Sequence, residues 1–469
     1  MIRPGRAAAF ALALALTGCA VGPDYQRAEL NLPGAYRGQA ENPAADSIGD
    51  ASWWDVYGDG NLRELLTTAL RNNLDLKVAV ARIDEAHATL GVARLGLAPQ
   101  VDLQGSISRT KGSRYALLPG APRFNDVEQV SVGVSWELDL WGRLRRSNEA
   151  ARATLLSTEY ARKAVSVTLV ASIATAYFNL LALDSQLEIT KRTVNTRERF
   201  VKLTRAQHDR GYATGLDVAT AEAQEAVARA NVPDLERRIG ETENAISVLL
   251  GDNPHGIARE QAGDEAPGMP PVPPAGLPSA LLERRPDIRA AEEQLHAANA
   301  QIGVARAALF PTIALTGTAG SLSAPLGKLF TAPAAEWSVA AGLVQPLLDS
   351  QRSLYQVQLA DARKREALYQ YQKAVQTAFQ EVADALLELQ KYEEFAREQT
   401  TEVEALRRAD AIALARYRVG YASYFDVINA DRDLFSAELS LSQAHANSRS
   451  ALVRLYQVLG GGWQPVPAS

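Results

Sequence analysis

The fold is decided by residues 73–106, NLDLKVAVARIDEAHATLGVARLGLAPQVDLQGS, because this stretch recurs later in the same chain. It aligns without a gap with residues 285–318, RPDIRAAEEQLHAANAQIGVARAALFPTIALTGT. Within the match, GVAR at 91–94 returns at 303–306. A match of this length at one spacing indicates two copies of one large unit and excludes a short solenoid repeat.

The end of each long helical stretch repeats as well. GYAT at 211–214 returns as GYAS at 420–423, and Asp217 returns as Asp426. A segment rich in Pro and Gly separates the two copies, which predicts a linker over 252–282.

Each copy contains two segments that alternate between apolar and polar residues. In 129–140, Val, Trp and Leu alternate with Ser, Gly, Glu and Asp, which predicts a strand with one apolar and one polar face. The predicted strands are about 100–109, 129–140, 312–321 and 337–347. Strands of about 9–11 residues can cross a bilayer in a barrel. Half-buried strands of a soluble sheet are the alternative that alternation leaves open.

Four strands are too few to close a barrel. The smallest single-chain bacterial barrels use about eight strands, and an open edge in lipid leaves backbone groups without partners. A membrane barrel therefore requires strands from several identical chains. Strand number alone leaves a dimer, a trimer or a larger ring open.

Two long segments contain no Pro or Gly, from Arg143 to Asp209 and from Gln351 to Val419. As helices they would each be about 100 Å long, too long for a compact domain. The second has apolar residues at alternating steps of three and four, typical of a coiled coil. These are Leu368, Tyr371, Val375, Ala378, Val382, Ala385 and Leu389. Shorter helices are predicted at about 62–97, 217–250, 283–309 and 426–459.

The N-terminus has the pattern of a bacterial lipoprotein signal. Two arginines precede a short apolar stretch that ends in LTGC at 16–19. We expect cleavage before Cys19, whose sulfur would carry diacylglycerol and whose amine would be acylated; Ala20 favours the outer membrane. No run of 18 apolar residues follows, so a helical integral membrane protein is not expected.

Composition disfavours several classes of function. The net charge of −5 provides no basic surface for nucleic acid. The five histidines have no metal-ligand spacing, and no catalytic motif occurs, so we expect no metal, no cofactor and no enzyme activity. They are His87, His208, His255, His296 and His445.

Several motifs together resemble one family. They are VGPDY at 21–25, WW at 53–54, ELDLWGR at 137–143, RRPDI at 284–288, QPL at 345–347 and LGGGW at 459–463. The chain resembles the outer-membrane factor family of tripartite efflux systems, in its NodT/OprM-like lipoprotein branch with a TolC-like fold. The resemblance covers nearly the whole mature chain.

The resemblance implies a mainly α-helical homotrimer with a shared twelve-stranded barrel in the outer membrane and a helical periplasmic tunnel. Its partners would be a periplasmic adaptor protein and an inner-membrane resistance-nodulation-division transporter. The function would be a passive exit duct for drugs or other small molecules. A conduit for type I protein secretion and a structural periplasm-spanning lipoprotein are the alternatives.

Functional residues are expected where each long helix reverses direction. Gly211 and Gly420 suit the turns, and Asp217 and Asp426 can cap the next helices. For Asp217 we prefer that structural role. The resemblance implies that the second turn closes the channel, with the following candidates. Phe425 would form a hydrophobic constriction, Asp426 would form an acidic ring, and Tyr417 and Arg418 would hold the end shut. Asn429 stands where the family often has a further Asp.

These features divide the chain as follows: signal peptide 1–18, lipid-anchored segment 19–60, first copy 61–251, linker 252–282, second copy 283–459 and tail 460–469.

Overall fold

The computed structural model describes residues 20–30, 32–37, 48, 59–115, 122–259, 276, 278–347 and 350–461. The predicted lipidation site Cys19, the tryptophan pair at 53–54 and most of the linker lie outside these residues. The chain forms two compact units, and each takes segments from both sequence copies. The two copies are therefore not separate domains.

The described helices are α1 (Gly60–Asn72), α2 (Leu74–Leu95), α3 (Arg143–His208), α4 (Gly215–Leu250), α5 (Pro278–Arg284), α6 (Pro286–Ala307), α7 (Ser350–Arg418) and α8 (Tyr424–Val458). The strands are β1 (Gln100–Lys111), β2 (Phe124–Leu138), β3 (Thr312–Ser323) and β4 (Ala335–Val344). Each copy thus runs through two helices, two strands, a long helix and a final helix. This order confirms the predicted duplicated unit of helices and paired strands.

Two strands end earlier than predicted. β2 ends at Leu138 because the carboxylate of Asp139 accepts hydrogen bonds from the N–H groups of Leu144 (3.0 Å) and Arg145 (2.9 Å) at the start of α3. β4 ends at Val344, shortly before Pro346, which has no N–H to donate to a ladder.

The first unit, called the sheet unit, comprises Met1–Glu29, Arg82–Glu159 and Ala290–Gln372. Its four strands form one antiparallel sheet in the order β1-β2-β3-β4. β1 and β4 are the two edges, and neither edge pairs with another described strand.

Equivalent side chains fix the ends of β2 and β4. The indole N–H of Trp136 donates to the carbonyl of Leu97 (3.1 Å), and the amide of Gln345 donates to the carbonyl of Leu309 (3.2 Å). Both acceptors lie just after the helix that precedes the strand pair. The two copies thus repeat a hydrogen bond as well as a sequence.

Residues 21–27 pack within the sheet unit, which explains the VGPDY motif. Val21 N–H donates to the carbonyl of Trp141 (2.9 Å). Gly22 has φ +113°, and a Cβ on it would lie 2.5 Å from the Cα of Gly303. Further contacts join Asp24 to Arg146 (2.7 Å), the rings of Tyr25 and His296 (4.7 Å) and Arg27 to Glu292 (2.9 Å). The chain that follows Cys19 is therefore held at the junction of β2 and α3.

The second unit, called the helix unit, comprises Leu30–Ala81, Tyr160–Arg289 and Lys373–Ser469. Its core includes Leu62 and Leu66 of α1 and Ile173 and Leu180 of α3, all fully buried. The predicted coiled-coil positions of α7 that fall in this unit are also buried, namely Val375, Ala378, Val382, Ala385 and Leu389. In the sheet unit, Tyr371 is buried and Leu368 is partly buried.

The long helix α3 contains an 18-residue stretch with few charges that is long and apolar enough to cross a membrane. However, 61% of that stretch is buried within the protein. The apolar stretch therefore serves as the core helix of its unit.

Two helices predicted as continuous are broken, at Asn73 and at Arg285. The side chain of Asn73 accepts a hydrogen bond from Leu76 N–H (2.9 Å) and donates to the carbonyl of Leu249 (2.9 Å). Arg285 stands before Pro286, and its guanidinium donates to the equivalent carbonyl of Val458 (3.4 Å).

A glycine packs against the backbone at each of these two helix breaks. Gly251 has φ +82°, and a Cβ on it would lie 2.5 Å from the carbonyl oxygen of Asn72. Gly460 has φ +84°, and a Cβ there would lie 2.8 Å from the carbonyl oxygen of Arg284. Both positions require glycine for conformation and for space.

We expect Asn73→Ala to destabilise the protein by about 2 kcal/mol, because it removes a helix cap and leaves the Leu249 carbonyl without its donor. Thermal unfolding of the detergent-purified protein, followed by circular dichroism, measures the effect. The neighbouring Asn72→Ala is the matched control, since Asn72 is exposed. Equal midpoints for the two variants would show that Asn73 does not hold the break.

Candidate functional site: the two helix hairpins

The two hairpin turns have the same backbone geometry. Gly211, between α3 and α4, has φ +78°, and Gly420, between α7 and α8, has φ +80°. A Cβ on either glycine would meet nothing within 4 Å. The conformation, not a lack of space, therefore requires glycine at these turns.

Asp217 and Asp426 make the same helix caps. In the first hairpin, the Thr214 N–H and hydroxyl donate to Asp217 Oδ2 (both 2.8 Å), and Thr214 caps α4 in return. In the second, the Ser423 N–H (2.8 Å) and hydroxyl (2.7 Å) donate to Asp426 Oδ2. Both are capping boxes. Local geometry therefore assigns Asp426 the structural role that we predicted for Asp217.

These hydrogen bonds also keep Asp426 ionised. The hydrogen bonds from Ser423 lower the pKa of the Asp426 carboxyl, and Arg416 adds a smaller effect in the same direction. Asp426 and the neighbouring Phe425 are exposed, and the Phe425 side chain is 67% accessible. The hairpin end therefore presents a negative charge beside an apolar ring.

The other candidates lie in different surroundings. Asn429 is partly buried, whereas Arg418 is exposed and makes no ion pair with the other described residues. The Tyr417 hydroxyl donates to Gln207 Oε1 (2.6 Å), which joins α7 to α3. Burial raises the pKa of Tyr417, so this hydroxyl remains a donor at neutral pH.

An aromatic cluster supports Tyr417. Its ring lies 5.9 Å from the ring of Tyr424, which in turn lies 6.2 Å from the ring of Phe200. Tyr424 packs with Val201 and Ala221 in a small buried core. Residues of three helices thus fix the position of the Tyr417 hydroxyl.

Sequence reasoning missed a group of ion pairs on α8 in which one partner of each pair is buried. The Arg197 side chain, 5% exposed, pairs with Asp431 (2.7 Å) and donates to the carbonyl of Gln224 (2.8 Å). Glu438, 8% exposed, accepts from Arg192 (2.7 Å) and Arg407 (2.9 Å). These pairs connect α8 with α3, α4 and α7.

Asp410 of α7 lies near the two acids of this group. Burial raises the pKa of Asp410, and the nearby carboxylates of Asp431 and Glu438 raise it further.

The sequence does contain a signal for the ion pairs of α8. Asp431 and Glu438 stand seven residues apart among apolar positions.

We expect Asp431→Ala to destabilise the protein by about 3–5 kcal/mol, because Arg197 would remain buried without its partner. Asp433→Ala is the matched control, since Asp433 forms an exposed pair with Arg432 and should contribute only about 0–1 kcal/mol. Unfolding midpoints of the two purified variants give the comparison. An Asp431 variant as stable as the Asp433 variant would contradict a structural role for the buried pair.

Comparison with known proteins assigns the chain to a family. The model of the outer membrane efflux protein family matches residues 65–252 and again 277–461. The probable efflux pump outer membrane protein TtgC of Pseudomonas putida is 36% identical over 457 residues, covering 96% of this chain and 94% of that protein. The cation efflux system protein CusC of Escherichia coli K12 is 32% identical, covering 97% and 98%.

Solved structures agree with this assignment. The outer-membrane channel OprN has a TM-score of 0.88 at 31% identity and covers 95% of this chain and 100% of its own. The open state of the Neisseria gonorrhoeae MtrE channel has a TM-score of 0.84 at 30% identity, with 95% and 99% coverage. With the duplicated helix and strand order described above, these matches establish that the chain belongs to the outer membrane efflux protein family.

Proposed function

We propose that this chain is the outer-membrane channel subunit of a tripartite efflux system and lets drugs or other small molecules leave the cell passively. The observation that carries this function is the sheet, which has an uncovered apolar face, a polar face on the other side and two edges that pair with no other described strand. No chemical step is required of such a subunit, so we propose no enzymatic activity.

Neighbouring rows across the sheet differ sharply in polarity. One row, in register across the four strands, is Leu103, Val132, Ala319 and Trp337. The next row, on the opposite face, is Gln104, Ser131, Gly320 and Glu336. A lipid-facing apolar surface and a wet polar lumen require this alternation.

The apolar row is not covered by any described part of the chain. The side chains of Leu103 and Trp337 are 76% and 78% exposed, and Ile107 on the same face is 77% exposed. A half-buried sheet of a soluble protein would cover one face, and every residue of β1 and β4 is exposed instead. Lipid is the environment that suits this surface.

The free edges support a homotrimer. Pairing β1 of one copy with β4 of the next would satisfy the edge backbone groups and add four strands per chain. Three copies would give the twelve-stranded barrel that the family resemblance implies. The long helices α3 and α7 would supply the wall of the periplasmic tunnel.

The names of the relatives support small molecules as cargo and a multi-protein pump as the setting. They include an antibiotic efflux pump protein, a toluene efflux pump protein and a cation efflux system protein. We propose a periplasmic adaptor protein and an inner-membrane transporter of the resistance-nodulation-division type as partners. The transporter would provide the energy for export.

We further propose that Cys19 carries diacylglycerol and an N-acyl chain. The ordered contacts of residues 20–30 support this proposal, since they would hold the lipidated end beside the junction of β2 and α3. Two or more acyl chains make membrane anchoring stable where one is marginal.

We propose that the channel closes at the second hairpin, between α7 and α8. In a trimer, Asp426 would form a ring of three carboxylates, with Phe425 as an apolar constriction next to it. The hydrogen bond from Tyr417 to Gln207 would hold this end shut, and Arg418 would contribute a cation. Asn429 would leave the channel with one acidic ring fewer than a chain that has Asp at this position.

We expect Asp426→Asn to reduce cation preference in planar bilayers, with the reversal potential in a salt gradient moving toward zero. Asparagine removes the charge but keeps an acceptor oxygen for Ser423, so the helix cap is retained. Asp217→Asn is the matched control, because it makes the same change in the first hairpin.

Wild-type currents test the channel function itself, and a purified protein that never conducts would refute it. An Asp426→Asn channel with wild-type selectivity would leave the channel function standing and would remove Asp426 from the aperture.

A further inference from the structure

One face of α8 follows a regular seam of alternating steps of four and three. Its positions are Tyr424, Ile428, Asp431, Phe435, Glu438, Ser442, His445, Arg449, Leu452 and Tyr456. Such a seam normally carries apolar residues into a partner helix. Here five of its ten positions are polar or charged, so each polar member needs a partner.

The first three polar members have partners on α3. Asp431 pairs with Arg197 (2.7 Å), and Glu438 pairs with Arg192 (2.7 Å). The Ser442 hydroxyl donates to the carbonyl of Ala182 (3.1 Å). The seam thus uses its polar positions for cross-helix bonds in this part of α8.

The last two polar members lack such bonds. His445 and Arg449 are partly buried, and neither side chain forms a hydrogen bond or ion pair with another described residue. The Arg449 guanidinium lies 5.6 Å from the ring centre of Phe178. Desolvation lowers the pKa of Arg449, and Asp59 and Tyr177 act in the opposite direction.

A cavity opens beside these two side chains. It has a volume of about 110 Å³. This volume is several times the roughly 10–15 Å³ that a single water molecule requires, so the cavity has room for a small organic molecule. On the α3 side it is lined by apolar Phe178, Leu181 and Ile189. On the α8 side it is lined by Ser442, His445 and Arg449. One wall therefore suits an apolar body, and the other suits an anionic group.

The charges around the cavity favour an anion. Arg192 from α3 and Arg407 from α7 lie at its far end and share the single carboxylate of Glu438. Arg449 adds a third guanidinium. The lining therefore carries three positive charges against one negative charge before His445 is protonated.

We propose that this cavity between α3 and α8 binds a small organic carboxylate, with Arg449 and His445 holding the carboxylate and Phe178 and Leu181 contacting the apolar body. A guanidinium presents parallel N–H groups that match the two oxygens of a carboxylate. The apolar wall distinguishes such a ligand from a fully hydrated inorganic anion.

The proposal includes a dependence on pH. Burial lowers the pKa of His445, and the adjacent positive charge of Arg449 lowers it further. Arg192 and Arg407 add positive charge from α3 and α7, whereas Glu438 opposes them. A bound carboxylate favours protonated His445 and raises its pKa. Binding should therefore strengthen as the pH falls, for as long as the ligand itself remains ionised.

Calorimetric titration of the full-length protein in a non-ionic detergent with benzoate tests the site, with benzamide as the neutral analogue. We expect benzoate to bind and Arg449→Gln to weaken it by about tenfold or more, as for loss of a charge-assisted hydrogen bond. Arg432→Gln is the matched control, because Arg432 lies on the same helix and is exposed. Equal affinity of wild type and Arg449→Gln, or equal affinity for benzamide, would overturn the proposal.

A second measurement does not depend on the Arg449 variant. Between pH 8 and pH 6 benzoate stays ionised, because ordinary carboxyl pKa values lie near about 4. We expect the wild-type affinity to rise over this interval and that of His445→Gln to stay constant. A wild-type affinity that does not change with pH would refute the role of His445.

Discussion

The structure depends on the unpaired edges of a four-stranded sheet. The ladders between β1 and β2, β2 and β3, and β3 and β4 satisfy the inner backbone groups, whereas the outer sides of β1 and β4 have no described partner. In lipid each unpaired group costs several kcal/mol. The uncovered apolar face requires lipid and the free edges require further strands, so the sheet makes sense only as one part of a shared barrel.

Duplication explains much of the rest, because equivalent contacts recur in both copies. The hydrogen bond from Asn73 to Leu249 corresponds to that from Arg285 to Val458, although the donor side chains differ. Each hydrogen bond joins a helix break to the C-terminal end of the last helix in the same copy, which is α4 for Asn73 and α8 for Arg285. The same contact is therefore made at equivalent positions of the two copies, although the residue types that make it differ.

The copies differ along their last helices, which is where function can diverge. On α8, Asp431 and Glu438 form ion pairs with arginines of α3. The residue of α4 that is equivalent to Asp431 is Glu222, which is exposed and pairs with Arg205. At this position the acid of α8 reaches Arg197, which is buried, whereas the acid of α4 pairs with Arg205, which is exposed. The polar seam of α8 thus joins the second hairpin to α3 of the first copy.

Local patterns in the sequence predicted the repeat, the four strands, both long helices and the capping residues, because each depends on neighbours along the chain. The alternation of apolar and polar residues in a strand and the glycine of a turn can both be recognised from the local sequence. The breaks at Asn73 and Arg285 and the pair of Arg197 with Asp431 were missed, since their partners lie far away in sequence. The core role of the apolar stretch in α3 also depends on which helices cover it.

Native mass spectrometry of the full-length protein, released from a non-ionic detergent, tests the central claim most directly. A twelve-stranded barrel with four strands from each chain requires a complex of three identical chains. A stable single chain under the same conditions would contradict it, because a lone sheet of four strands would then have to satisfy its own edges.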